Sequence, residues 1–399
     1  MLQFETTEMQ KTPRADLLTR HTKKVLKGNS AAAIAAKLSK VSLVTAYPIT
    51  PQTSIIEEIT NMIASGEFDA ESVNMESEHS VFAALIGASL AGERVFTATS
   101  GQGLFYAHEV LHAIAHMRLP VVACNVGRPS FPWNIWADQT DSISQRDTGW
   151  VQYYCESSQE VMDTIIQSYR LAEKLKLPVM VVLDAFYMSH TSENVYIPDQ
   201  KMVNEFCPPR EKMDDQIDLE HPKAFGGLVG PDMYDKYNRL YWESIRKVES
   251  ETIQLGNEFD KTFGRKYAAV EAVNIHEKTE KILVTMASVT TTARQIVNRH
   301  PEVGLLKIRL FKPFPKKSVL SVLDNVSGDC AIINIDRNYP GDTEGALMQE
   351  MKRALHGTPY NIFGVYTGLG GRDVSSKTIE KIIESDFDKT GIDGVIWMT

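Results

Sequence analysis

Ala46-Tyr47-Pro48-Ile49-Thr50-Pro51-Gln52-Thr53 is the stretch from which the fold of this 399-residue chain is read. Residues 41–47 form an apolar run of strand length. Beyond Thr53, Ile55, Ile56, Ile59 and Ile63 fall on one helical face. Thr50 is placed as the helix N-cap and Pro51 as its first residue, where a missing N–H removes no hydrogen bond. A strand running directly into a helix N-terminus offers free backbone N–H groups and the positive end of a dipole. In parallel α/β sheets, ligands gather at this edge. An ordinary strand-to-helix turn carries the same pattern, so the stretch alone speaks for a fold and not for a function.

The alternation continues outward. Residues 72–75, 94–99, 119–126 and 178–184 read as strands. Helices are read over 31–38, from Glu76 to about Gly92, over 104–117 and over 159–174. Strand and helix in turn mean a parallel α/β domain. Residues 127–149 are long and irregular, and a loop of that length in a compact domain is functional or a partner contact. Residues 191–231 carry Pro198, Pro208, Pro209, Pro222 and Pro231 and read as a connector. Residues 233–263 read as one long polar helix with Gly256 as its weak point. A second α/β unit begins near Lys281, with strands over 282–286, 305–311, 331–335 and 361–366.

A net charge of −9 argues against nucleic acid or an anionic membrane as the main partner. No apolar run reaches the roughly 18 residues of a membrane span. The polar, acidic first residues do not read as a signal peptide, so the expected location is cytoplasmic. Cys124, Cys155, Cys207 and Cys330 lie far apart, without a C-x-x-C pair. Neither a disulfide framework nor an iron–sulfur or structural zinc site is expected within the chain. Cys124, inside an apolar strand, is expected to be an inert core residue.

Several residues are candidates for chemistry. His108-Glu109-Val110-Leu111-His112 fits the H-E-x-x-H zinc pattern, and His116 extends the face, but no G-x-x-H follows. A zinc hydrolase is therefore an alternative reading, and a polar or interface helix face is the plainer one. Glu76, Glu78 and His79 open a helix, where the dipole favours acids by itself. Ser100-Gly101-Gln102-Gly103 is a tight turn of a kind that cradles phosphate. Arg128 follows a strand and suits either a bidentate carboxylate partner or a surface salt bridge. Phe131, Trp133 and Trp136 close by suit either a pocket wall or a loop anchored in the core.

Taken together, these residues resemble the α subunit of the 2-oxoacid:ferredoxin oxidoreductases, the pyruvate:ferredoxin oxidoreductase family. The pieces are Tyr47-Pro48-Ile49-Thr50-Pro51, Glu76-Ser77-Glu78-His79, the run from Thr97 to Gly103 and Asn125-Val126-Gly127-Arg128. The runs from Trp136 to Asp141 and from Gln145 to Gly149 continue the match. Phe263-Gly264-Arg265, Lys312-Pro313-Phe314-Pro315 and the run from Gly368 to Asp373 complete it. Their order and spacing extend over nearly the whole chain from about Lys24.

The resemblance implies a thiamine diphosphate enzyme that decarboxylates a 2-oxo acid, passes the acyl group to coenzyme A and sends electrons out through iron–sulfur clusters. Residues 1–22, polar and without periodicity, read as an N-terminal extension in which the chain departs from the family, and the resemblance implies a thiamine diphosphate-type domain for the pyrimidine ring over 23–195. A connector with a long helix over 196–265 and a smaller transketolase C-terminal-like α/β domain over 266–399 follow. The resemblance also implies that thiamine diphosphate is shared with a β subunit that holds its diphosphate half, and the sequence, which shows no G-D-G…N motif for the metal and diphosphate, is consistent with this. Mg2+ and the 4Fe–4S clusters then sit on partner subunits. Those partners are β and γ types and an iron–sulfur δ type, with ferredoxin or an NAD-reducing flavin subunit as acceptor. The chain alone is expected to be inactive; a non-catalytic scaffold that keeps only the fold is the remaining alternative.

By the same resemblance Glu78 hydrogen-bonds the pyrimidine N1′, which requires a buried carboxyl with a raised pKa. Arg128 holds the substrate carboxylate, and Thr50 bonds the substrate near its reacting carbonyl. Tyr47, Pro48, Ile49, Ser100 and Gly101 border the cofactor. Pro129-Ser130-Phe131-Pro132 is bulkier than the small residues associated with pyruvate enzymes. It admits pyruvate or a larger aryl 2-oxo acid such as phenylglyoxylate, and it lacks the extra cations that a dicarboxylic substrate needs.

Overall fold

A computed structural model describes residues 12–211, 216–324, 326–387 and 393–398; residues 1–11 of the expected extension lie outside this set. The first unit runs β1 (His21–Lys27), α1 (Gly28–Leu38), β2 (Leu43–Ala46), α2 (Thr53–Ala64), β3 (Glu71–Asn74), α3 (Glu78–Leu90) and β4 (Val95–Thr99). It continues with α4 (Gly101–Tyr106), α5 (His108–His116), β5 (Val122–Gly127), α6 (Thr140–Ile143), β6 (Val151–Tyr154), α7 (Ser158–Leu175) and β7 (Val179–Asp184). Then come β8 (Ser192–Pro198), α8 (Gln200–Phe206), α9 (Pro231–Ile245) and α10 (Val248–Phe263). The second unit holds β9 (Val270–Val273), β10 (Lys281–Thr285), α11 (Val289–Val297), β11 (Val303–Ile308), β12 (Leu310–Lys312) and α12 (Lys316–Leu323). It ends with β13 (Ala331–Asp336), α13 (Ala346–Ala354), β14 (Asn361–Tyr366), α14 (Ser376–Glu384) and β15 (Val395–Trp397).

The first sheet has the order β12-β6-β7-β5-β4-β2-β3. Its strands are parallel except β12, which joins β6 antiparallel. Strands β4, β5 and β7 are buried along their whole length, as expected where helices cover both faces. Helix α1 buries Ala31, Ala32, Ala33, Ala35 and Ala36, and these small side chains let it lie close against α2 and α7. The chain leaves β2 toward β3 and leaves β4 toward β5, in opposite directions along the sheet. Strand order therefore reverses between β2 and β4, and the crevice lies beyond their C-terminal ends. The second sheet, β15-β14-β13-β10-β11-β9, is parallel except for β9.

Buried polar contacts join the two units. Lys307 on β11 donates to both oxygens of Glu160 on α7, at 2.9 and 2.8 Å. Arg265 and the Tyr267 hydroxyl converge on Asp163 of α7. Charges buried this deeply persist because they are paired. Gly370 and Gly371 of the second unit bond to Asp138, Asn134 and Ala137, so the second unit holds the loop after β5. Among the described residues, no helix is long and apolar enough to cross a membrane. All four cysteines are buried free thiols, and burial pushes the Cys124 thiol far up, so its reactive thiolate is suppressed.

The structure corrects several expectations. Helix α2 begins at Thr53, so Thr50 is not its N-cap and Pro51 is not its first residue. Buried side chains hold the turn instead: Gln52 donates to the Tyr47 carbonyl, and Asn29 donates to the Pro51 carbonyl and to Ser54. The helix read over 104–117 is two, α4 and α5, meeting at Ala107. The helix read over 233–263 is α9 and α10, and the break falls at Arg246 and Lys247. Gly256 lies inside α10, where a Cβ would stand 1.7 Å from the Tyr267 carbonyl oxygen. The segment read as an irregular connector holds β8 and α8, and β8 pairs with β1, which begins inside the expected extension.

Candidate active site

Three strands aim their C-terminal ends at the crevice. Strand β2 delivers Tyr47 to Gln52, β4 delivers Ser100 and the start of α4, and β5 delivers Arg128. Helix α3 adds Glu78 in its first turn, behind the N-cap Ser77, whose hydroxyl accepts the Ser80 N–H at 3.2 Å. Glu76 lies outside the helix and is exposed, and its carboxylate is held below the usual range by the Ser80 hydroxyl. Glu78 is its opposite. It is 7% exposed, and no other side chain among the described residues hydrogen-bonds its carboxyl. Burial pushes this carboxyl above the usual carboxylate range, against its own backbone N–H and the nearby Arg128, which pull it down.

Two glycines clear the space for these groups. A Cβ on Gly103 would stand 2.3 Å from Glu78 Oε1, and one on Gly101 would stand 2.1 Å from Arg128 Nε. Gly101 also has φ +50°, in the left-handed region that favours glycine. Arg128 is buried, so the surface salt bridge is excluded as its role. Its Nη1 donates to the Thr50 carbonyl and its Nη2 to Gln102 Oε1, while Nε–H is buried without a partner among the described residues. Asp141 on α6 ties the strand ends together. Its Oδ2 accepts the N–H of Gly101 at 2.8 Å and that of Arg128 at 3.1 Å. Burial pushes the Asp141 carboxyl up to about 6, although these donors pull it down.

The turn at Ser100 to Gly103 is therefore no phosphate cradle. The Gly101 N–H faces a carboxylate, the Gly103 N–H bonds the Ser100 carbonyl, and the Ser100 hydroxyl donates to the Val126 carbonyl at 2.6 Å. Tyr47, Pro48 and Thr50 stand exposed at the rim and Ile49 is half-buried. Phe131 and Trp133 are 75% and 73% exposed and stack on each other, so they do not anchor the loop in the core. Trp136 packs on Phe186. Sequence reasoning missed the bracing roles of Asn29, Gln52, Gln102 and Asp141, because side chains that support loops follow no periodic pattern. The residues of the zinc pattern do not form a ligand set. His108 bonds Gln145, Glu109 is exposed and faces His79, and the described residues contain no group of three metal-ligating side chains.

The family described as pyruvate flavodoxin/ferredoxin oxidoreductase, thiamine diphosphate-binding, matches residues 34–256, more than half of the chain. Core domain II of pyruvate:ferredoxin oxidoreductase matches residues 279–379. The chain belongs to the 2-oxoacid:ferredoxin oxidoreductase family. Within that family it is 43% identical over 369 residues to the ketoisovalerate oxidoreductase subunit VorA of Pyrococcus horikoshii, over 91% of this chain and 93% of that one. It is 41% identical over 367 residues to the pyruvate synthase subunit PorA of Methanothermobacter thermautotrophicus, over 90% of this chain and 94% of that one. The 2-oxoglutarate:ferredoxin oxidoreductase of Magnetococcus marinus shares the fold, with a TM-score of 0.71 at 19% identity over 91% of this chain. This chain covers 65% of that longer one. The family's cofactor fits the residues present: a buried carboxyl at Glu78, bonded by no other side chain among the described residues and with its pKa raised by burial, suits a ring nitrogen that must be given a hydrogen bond.

Proposed function

We propose that this chain is the α subunit of a multisubunit enzyme that oxidatively decarboxylates a 2-oxo acid with a nonpolar side chain. The reaction takes the 2-oxo acid, coenzyme A and two oxidised ferredoxins to acyl-CoA, CO2, a proton and two reduced ferredoxins. The observation that carries the reading is the pairing of Glu78 and Arg128 at the sheet crevice, in room that Gly103 and Gly101 leave open. Thiamine diphosphate, when bound, supplies the nucleophilic carbon and the electron sink for loss of CO2. Glu78 holds a proton at the pyrimidine N1′, a task for which a carboxyl with a raised pKa is suited. Arg128 receives the substrate carboxylate on the Nη hydrogens that Thr50 and Gln102 leave free and orients the bond that breaks. Thr50 bonds the substrate near its reacting carbonyl, Tyr47 borders the cofactor, and Phe131 walls the substrate side chain.

Partner subunits of β, γ and δ types supply the diphosphate and Mg2+ half of the site and the 4Fe–4S clusters. Ferredoxin, or a flavin subunit that reduces NAD, takes the electrons. The substrate class rests on the apolar loop after Arg128 and on relatives named for ketoisovalerate and for pyruvate. The test is CoA-dependent dye reduction by the co-purified complex against pyruvate, 2-ketoisovalerate, phenylglyoxylate and 2-oxoglutarate, with the chain alone beside it. Turnover of nonpolar 2-oxo acids by the complex only is expected. Turnover by the isolated chain would overturn the shared site, and a complex inactive on every 2-oxo acid would overturn the function.

A further inference from the structure

We infer that Gln102 is a positioning residue that holds the Arg128 guanidinium and the aromatic loop after it as one unit, so that substrate carboxylate and substrate side chain are read together. Gln102 is half-buried at the second position of α4, facing the loop that follows β5. Its Oε1 accepts from Arg128 Nη2 at 2.5 Å, and its Nε2 donates to the Ser130 carbonyl at 2.6 Å. A guanidinium only donates and a carbonyl only accepts, so these partners fix the orientation of the carboxamide. Ser130 immediately precedes Phe131, whose ring stacks on Trp133. One side chain thus reaches the anion-binding group and the apolar wall at once.

Only an uncharged carboxamide of this length accepts from the arginine and donates to the loop together. Glutamate keeps the acceptor, loses the donor and places a carboxylate on Arg128, where it competes with the substrate's own. Leucine keeps much of the volume and removes both bonds. The inference rests on the proposed role of Arg128, so Arg128→Lys is carried beside the Gln102 variants.

The experiment is steady-state kinetics of the complex with Gln102→Glu, Gln102→Leu and Arg128→Lys on 2-ketoisovalerate and pyruvate, together with the thermal midpoint of each variant. Gln102→Glu is expected to raise KM for both acids about 10-fold or more, by more than it lowers kcat, because a charge-assisted contact is redirected. Gln102→Leu is expected to change the ratio of kcat/KM between the two acids at least about threefold, because the wall loses its tie. KM and that ratio both within about twofold of wild type, with only the midpoint lowered, would overturn the inference while a raised KM in Arg128→Lys keeps the proposed function. An unchanged KM in Arg128→Lys as well would overturn both. If Gln102→Leu does not assemble, the near-isosteric Gln102→Glu decides by its KM.

Discussion

Replacing Gly103 with alanine separates the placement of Glu78 from its chemistry. Gly103 lies within α4 at backbone angles that alanine adopts, so the backbone does not resist the change. Inside a helix, alanine is favoured over glycine by about 0.5–1 kcal/mol. The new Cβ, however, would lie 2.3 Å from Glu78 Oε1 and 2.7 Å from its Cδ and Cγ. Ordinary contact begins at 3.4 Å, so the carboxyl must retreat by about 1.1 Å. A displacement of about 1 Å at a reacting group costs about 10²-fold in rate. The expected result is a complex that assembles, with stability within about 1 kcal/mol of wild type and kcat lowered roughly 10²-fold. Gly87→Ala on α3 is the control, because a Cβ there meets nothing within 4 Å. Gly103→Ala combined with Glu78→Gln should lose far less than the product of the single losses, since both act on one carboxyl. Dye-reduction kinetics and differential scanning fluorimetry on the same preparations measure both quantities. Turnover of Gly103→Ala within about threefold of wild type would refute the assignment of Glu78.

Other outcomes follow from the same site and from the packing beneath it. Arg128→Lys keeps the charge and loses the fork, so KM should rise and kcat fall together in the kinetic assay. Glu78→Gln should lower turnover roughly 10²-fold or more. It should also stabilise the chain increasingly as pH rises: the raised carboxyl is neutral like Gln at low pH, and its advantage is lost as pH climbs through its folded pKa. Thermal midpoints at pH 4.5 and pH 8 check the sign, and a Gln advantage confined to the acid side would contradict it. Phe131→Ala should cost 2-ketoisovalerate roughly 1–3 kcal/mol in kcat/KM and pyruvate much less; equal losses would mean that the ring supports the loop and selects nothing. Arg265→Leu leaves Asp163 buried with Tyr267 and Gln159 as its remaining hydrogen-bond partners among the described residues and should destabilise the chain by about 3–5 kcal/mol in urea unfolding.

How much of the fold the sequence displays depends on what covers each element. Strands β4, β5 and β7 are legible because sheets buried on both faces are written as unbroken apolar runs. Strand β1 carries Lys23 and Lys24 and is mostly exposed, so only its pairing with β8 makes it a strand. Strand β12 is three residues long and crosses from the second unit to pair with β6 in the first sheet, a tertiary event with no local signal. The two halves of the helix before β5 join at Ala107, which has near-helical angles and is itself a good helix former, so nothing in the residue types marks the joint. Gly256 misleads in the opposite sense: it is needed for the approach of the Tyr267 carbonyl to α10, and the helix continues through it.

The site repeats this lesson with chemistry in place of packing. Gly101-x-Gly103 after a strand is the pattern of a loop whose amides receive an anion. The same pattern arises whenever two side chains must lie against a backbone, and here those side chains are Glu78 and Arg128. Residue types alone do not separate the two causes, because both need the missing Cβ. Asp141 separates them. Its buried carboxylate takes the Gly101 N–H and the Arg128 N–H, two donors that an anion at this turn would need. A diphosphate placed there would meet a carboxylate at hydrogen-bonding range, an arrangement of like charges that burial makes worse. An anion at this turn is disfavoured, which fits the proposed role of the guanidinium as the place where the substrate carboxylate binds; among the described residues, Arg128 is the cation whose charge acts on Glu78.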